Sequence, residues 1–253
     1  MSTRRFFSLI ILFCISATLS AQLLRRDFER ELSVGVTGGT NMSRVSFLHN
    51  DTYRMNELGD QGFWPKFRLG VVARHISQSH FGVQLEFNYV RSGWSERFRE
   101  DAGMTMVNGI DLQNVKISRT LDYLEIPVLA HIYFGSRRVR VYVELGPQVS
   151  FLTNYGSLKW NIPETDTRKK AIVSDDPRLG DEYRSVDYGI AGGMGVDILA
   201  GRFHVLLGGR YSYGFRDLYG NSKSDVFQRS NNQLMSFSAS FLVPVLKYKE
   251  NKR

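Results

Sequence analysis

Nine ionisable side chains recur in segments where apolar and polar residues alternate: Arg68, Arg74, Glu86, Glu125, Arg140, Glu144, Asp187, Asp197 and Arg210. Each stands on the polar parity of its segment, and residues two apart in a strand share a face of the pleat. These charges would therefore line one face of a sheet. Four arginines against five carboxylates, with His131 and His204 able to join either sign, suit mutual neutralisation in an enclosed space. Buried ions are tolerated when paired, and the near balance permits pairing. The spacing thus predicts a structural salt-bridge network, with a gated proton or ion path as the alternative.

The element that must carry such charges is clearest in Arg137 to Leu152, RRVRVYVELGPQVSFL. Val139, Val141, Val143, Leu145, Pro147, Val149 and Phe151 share one parity; Arg140, Tyr142, Glu144, Gly146, Gln148 and Ser150 share the other. A period of two is the mark of a β-strand. At ~3.3 Å per residue the apolar face is tall enough to cross the hydrocarbon of a bilayer. In lipid every strand edge must be paired, which only a closed barrel achieves.

Seven further segments repeat the pattern, at about 31–40, 66–76, 80–92, 120–134, 185–198, 202–215 and 233–246. Pro127, inside the fourth, removes a ladder donor and predicts a bulge or edge there. The connections run long, short, long, short, long, short, long. This predicts an all-β fold, an eight-stranded antiparallel outer-membrane barrel with four long extracellular loops and three short periplasmic turns. The domain reading is residues 1–21 a signal peptide, 22–30 a periplasmic lead-in, 31–246 the barrel and 247–253 a basic periplasmic tail. Both termini would be periplasmic.

Aromatic residues are expected in two belts at the membrane–water interfaces. Trp64, Tyr89, Trp94, Phe151, Tyr155, Tyr213 and Phe215 cluster where strands meet long loops, and Phe81, Tyr133, Phe134 and Phe203 lie near the opposite rim. A soluble lipocalin-like barrel would show the same period with its apolar face inward. Strand length, belts and loop asymmetry favour lipid outside. Eight strands leave an interior wide enough for side chains and too narrow for an open channel.

Arg4 and Arg5, an apolar run from Phe6 to Ile15, and small residues through Ser20 and Ala21 form the order of a secretory signal peptide, with cleavage expected after Ala21. Cys14, the single cysteine, falls within that signal. Arg4 and Arg5 would leave with it, reducing a formal charge of +8. Export argues against nucleic acid as the partner of the remaining positive charge, and anionic lipid head groups or acidic proteins suit it better.

Motifs for other chemistry are lacking. The glycine clusters Gly38-Gly39, Gly192-Gly193-Met194-Gly195 and Gly208-Gly209 sit inside strand patterns and open no helix. There is no C-x-x-C, H-E-x-x-H or G-x-S-x-G, so no metal, cofactor or hydrolase site is expected. Some eight-stranded outer-membrane barrels are lipid A acyltransferases using His, Ser and Asp at the extracellular rim. Here the candidates would be His49 with Asp51, or Ser95 and Asp101, with no spacing that joins them. The chain reads as a non-enzyme without catalytic residues or a small-molecule substrate.

The segment LDYLEIPVLAHIYFG, from Leu121 to Gly135, closely resembles the Y-L-E-I-P-x-L segment of an outer-membrane β-barrel family abundant in Bacteroidetes. The first-strand SVGVTGGTN and the fifth-strand V-E-L-G-P are similar to it too, so the resemblance covers nearly all the mature chain. Within that family, size, basic charge and loop pattern are most similar to the PorT-type barrels, which are implicated in the type IX secretion system. The resemblance implies outer-membrane lipid and other secretion-system proteins as partners, a role in export and maturation of secreted proteases, and structural roles for Glu125 and Pro127. A small structural or adhesion barrel of OmpA type is the second reading.

Overall fold

The computed structural model describes residues 29–49, 58–60, 64–98, 106–107, 110–111, 116–135, 138–157, 159–160, 184–218 and 227–249, with a few side chains at strand ends excepted. The predicted signal segment and its cleavage point after Ala21 lie outside the described residues.

Eight long strands follow one another: β1 (Glu29–His49), β2 (Trp64–Gln78), β3 (Phe81–Phe98), β4 (Lys116–Phe134), β5 (Val139–Tyr155), β6 (Val186–Ala200), β7 (Phe203–Asp217) and β8 (Phe227–Lys249). Each pairs antiparallel with the next, and β8 pairs with β1 along almost its whole length, closing the ring. Leu58–Asp60 adds to the end of β3 and Lys159–Trp160 to the start of β4. Among the described residues there is no helix.

The strands outrun the apolar alternation. β1 continues to His49 where the pattern fades near residue 40, β3 to Phe98 rather than 92, and β8 begins at Phe227 rather than 233. Beyond the lipid both faces meet water, so side-chain period is no longer enforced while the backbone ladder still has partners. At the other rim β8 runs to Lys249, into the segment read as tail. The short turns there use glycine where the backbone demands it: Gly135 has φ 110° and Gly201 φ 67°, both in the left-handed region.

Pro127 produces no bulge. The registers Asn88↔Glu125 and Leu85↔Val128 toward β3 belong to one unshifted ladder, as do Pro127↔Gln148 and Ala130↔Leu145 toward β5. The ring absorbs the missing donor as a local gap in pairing. The proline beside an actual shift is Pro244, which faces Ser33 while Leu246 faces Leu32, leaving Val245 as the extra residue.

Polarity is inverted relative to a soluble barrel. Leu145, Leu69 and Met194 are 57, 62 and 66% exposed on the outer wall, while Arg74, Glu86 and His131 inside are at most 2% exposed. A ring with an apolar outer wall and a charged lumen fits lipid, and it removes the lipocalin-like reading. At the short-turn end the lumen also holds a small apolar cluster of Val72, Ile76, Tyr133, Tyr142, Leu206 and Leu242.

Candidate functional site

The site is the lumen, and its charges fall in two layers. In the central layer Arg210, projecting from β7, reaches β3 on the opposite side of the ring. Its Nη1 and Nη2 donate to Glu86 Oε2 and Oε1, both at 2.7 Å, and its Nε donates to Glu144 Oε1 at 2.7 Å. One planar guanidinium thus joins β3, β5 and β7, using the fork geometry that suits two carboxylates. Gln84 Nε2 and Asn88 Nδ2 also donate to Glu86, at 2.6 and 2.8 Å. Arg68 stands 3.6 Å from Glu86 and donates to Ser236 Oγ at 2.8 Å.

The second layer lies toward the short turns. His204 places Nε2 2.9 Å from Glu31 Oε1 and Nδ1 3.0 Å from Asp197 Oδ2. An imidazole with a carboxylate on each side donates to both only when it carries both protons. Arg74 Nη1 is 3.4 Å from Asp197 and 3.4 Å from His131 Nε2, and Lys247 Nζ is 3.2 Å from Glu31 Oε2. The His131 ring stacks obliquely on Tyr142 at 4.8 Å between centroids, and Arg140 lies over Tyr133 at 4.8 Å.

Among the charges anticipated from spacing, Arg68, Glu86, Glu144 and Arg210 meet in the central layer, and Arg74 meets Asp197 in the lower one. Arg140 is held against an aromatic ring instead. Glu125 is 2% exposed with no hydrogen-bond partner for Oε2, and Asp187 accepts a hydrogen bond from the Arg216 backbone N–H at 3.1 Å. Glu31 was missed, although it shares parity with the buried Ser33 and Thr37, so the same alternation marks it. Lys247, read as the start of a basic periplasmic tail, is one of its partners, with His204.

Two belt assignments are corrected. Trp94 and Tyr133 are buried, at 2 and 7% exposure, and point inward. Trp94 shares parity with Gln84, Glu86 and Asn88, and Tyr133 with Glu125 and His131; nearness to a rim does not override the pleat. On the outer wall, Tyr89, Phe151, Tyr155 and Phe215 at the long-connection end, and Phe134 and Phe203 at the other, are exposed. Tyr213 and Phe81 are half-buried, and the Trp64 side chain lies outside the described residues. The rim also carries an outward ion pair, Arg91 Nε to Asp122 Oδ1 at 2.8 Å, with Arg91 over the Phe67 ring.

The loop candidates for acyl transfer do not assemble among the described residues. Ser95 is 1% exposed inside β3, and Asp51, Asp101 and the His49 side chain lie outside the described residues.

The sequence profile of the outer membrane protein beta-barrel domain family matches residues 20–220. The chain belongs to that family. The chain is also similar, at low sequence identity, to solved outer-membrane proteins. Neisserial surface protein A is 12% identical, with 85% of this chain and 98% of that one covered and a TM-score of 0.43. Outer membrane protein W of E. coli is 19% identical, covering 83 and 96%, with a TM-score of 0.38. The outer membrane protease OmpT of Escherichia coli is 9% identical, covering 85 and 96%, with a TM-score of 0.36. No curated protein matches the chain. Activity is a property of sites grafted on such a fold and does not travel with the barrel.

Proposed function

We propose that this outer-membrane β-barrel is a non-enzymatic component required for type IX protein secretion, acting in the export and maturation of secreted proteases. The observation that carries the reading is the Y-L-E-I-P-V-L run of β4 in its setting. Glu125 and Pro127 of that run face a lumen occupied by cross-linking side chains, including the Arg210–Glu86–Glu144 spoke. A lumen filled in this way supports a scaffold rather than a conduit, so cargo would pass through other machinery. The long-connection rim and the short-turn rim would be the contact surfaces. Were the short turns periplasmic, the end around Lys247 would be the surface offered there to other secretion-system proteins.

The test is a strain lacking the gene, with supernatant, periplasm and membrane fractions compared for proteins bearing the type IX C-terminal signal. Accumulation of unprocessed cargo in the periplasm with an intact outer membrane is the expected result. Normal export would remove the secretion role. A loss of surface attachment without a secretion defect would instead support the structural or adhesion reading.

A further inference from the structure

We propose that the long-connection half of the lumen binds one monovalent cation of potassium or ammonium size between Glu125 and Asp187. Three strands place the groups. Glu125 of β4 lies directly opposite Ser150 of β5, and Ser150 lies directly opposite Asp187 of β6. Directly opposed residues point to the same side of the sheet, so both carboxylates flank Ser150 on the inner face, with backbones about 10 Å apart. Both line a narrow cavity of about 10 Å³, room for about one water-sized group, together with Gln148, Ser150, Ser212 and Asn232.

Glu125 is the residue that asks for a ligand. It is 2% exposed, and its Oε2 takes no hydrogen bond from the protein. Neither nearby lumen cation hydrogen-bonds this oxygen: Arg210 forks to Glu86 and Glu144, and Arg68 gives Nη1 to Ser236 and stands 3.6 Å from Glu86, its own Nε unpartnered. Arg216, beside Asp187, gives its Nη1 to the Val186 carbonyl. Three central carboxylates thus face two guanidinium groups, and Asp187 adds a further acidic group at the cavity. Asp187 is itself cradled, since a Cβ at Gly214 would fall on its Oδ2.

The polar side chains of the lining offer hydroxyl, amide and carboxylate oxygens, the ligands of hard cations. Two carboxylates set among neutral hydroxyl and amide oxygens make a weakly charged site, which suits a singly charged ion. The site is read from the barrel alone and stands apart from the secretion role.

The test uses the purified full-length barrel in detergent micelles, with thermal unfolding followed in potassium, ammonium or tetramethylammonium chloride at matched ionic strength. A ligand that binds only the folded state raises the unfolding midpoint. Potassium or ammonium should raise it by about 2–4 °C over tetramethylammonium, which is too large for the cavity. The rise should vanish in Glu125→Gln and in Asp187→Asn. If Glu125→Gln fails to fold, Asp187→Asn and Gly214→Ala decide, the latter by displacing the Asp187 carboxylate. An equal midpoint in tetramethylammonium, or survival of the rise in Asp187→Asn, overturns the proposal.

Discussion

The outer wall and the lumen of this barrel are built from the same strands under opposite rules. Along β5, Val141, Val143, Leu145 and Val149 are exposed, while Tyr142, Glu144, Gln148 and Ser150 between them are buried. The wall needs no partners from the chain, because lipid is its solvent. The lumen needs a partner for every charge, because neither lipid nor bulk water reaches most of it. A change on the wall should therefore be judged by transfer into hydrocarbon, and a change in the lumen by what it leaves unpaired.

The largest effect should come from breaking the spoke at Arg210. Arg210→Ala strips Glu86 of its bidentate partner and Glu144 of its hydrogen bond from Nε, leaving both carboxylates buried. Removing one partner of a buried pair costs about 3–5 kcal/mol. Urea unfolding of the barrel in lipid vesicles should show that loss, and Arg210→Lys should recover only part of it, since an ammonium cannot fork to two carboxylates. Equal stability of Arg210→Ala and the parent would mean that the central layer is not held by this residue.

The wall gives the next effect. Leu145 lies midway along β5, 57% exposed. Leu145→Arg would place a guanidinium near the middle of the hydrocarbon, at about 2–4 kcal/mol. The same measurement checks it. A cost near zero would mean that this face is not the lipid face, and the contrast between wall and lumen would fail.

Much of this contrast was legible in the sequence because the period of two is enforced wherever lipid bounds one side. Strand count, the alternation of long and short connections, and the inward parity of the arginines and acids follow from it. Trp94 and Tyr133 were misplaced because their distance from a rim was weighed above their parity. The pairings themselves were not legible. Arg210 and Glu86 are 124 residues apart and meet across the ring. Whether their heights agree depends on the stagger between strands, which is set by closure and by shifts such as the one at Pro244. The same stagger isolates Glu125, which composition alone would have paired.

The smallest effect tests whether the lower layer depends on one bridge or on many contacts. His204 has a nitrogen toward each of two carboxylates, 2.9 Å from Glu31 and 3.0 Å from Asp197. Glutamine carries its donors on one end only, so His204→Gln can keep one carboxylate and must turn an oxygen or a gap toward the other. Each orphaned carboxylate retains other company: Glu31 has Ser33 and Lys247, and Asp197 has Arg74 at 3.4 Å. The loss should accordingly fall below that of Arg210→Ala, at about 1–3 kcal/mol. A double-mutant cycle with Glu31→Gln isolates the bridge, and a coupling of about 0.5–3 kcal/mol is expected for groups in direct contact. Strict additivity of the two substitutions would show that the imidazole does not hold Glu31, leaving Ser33 and Lys247 as the partners of that carboxylate.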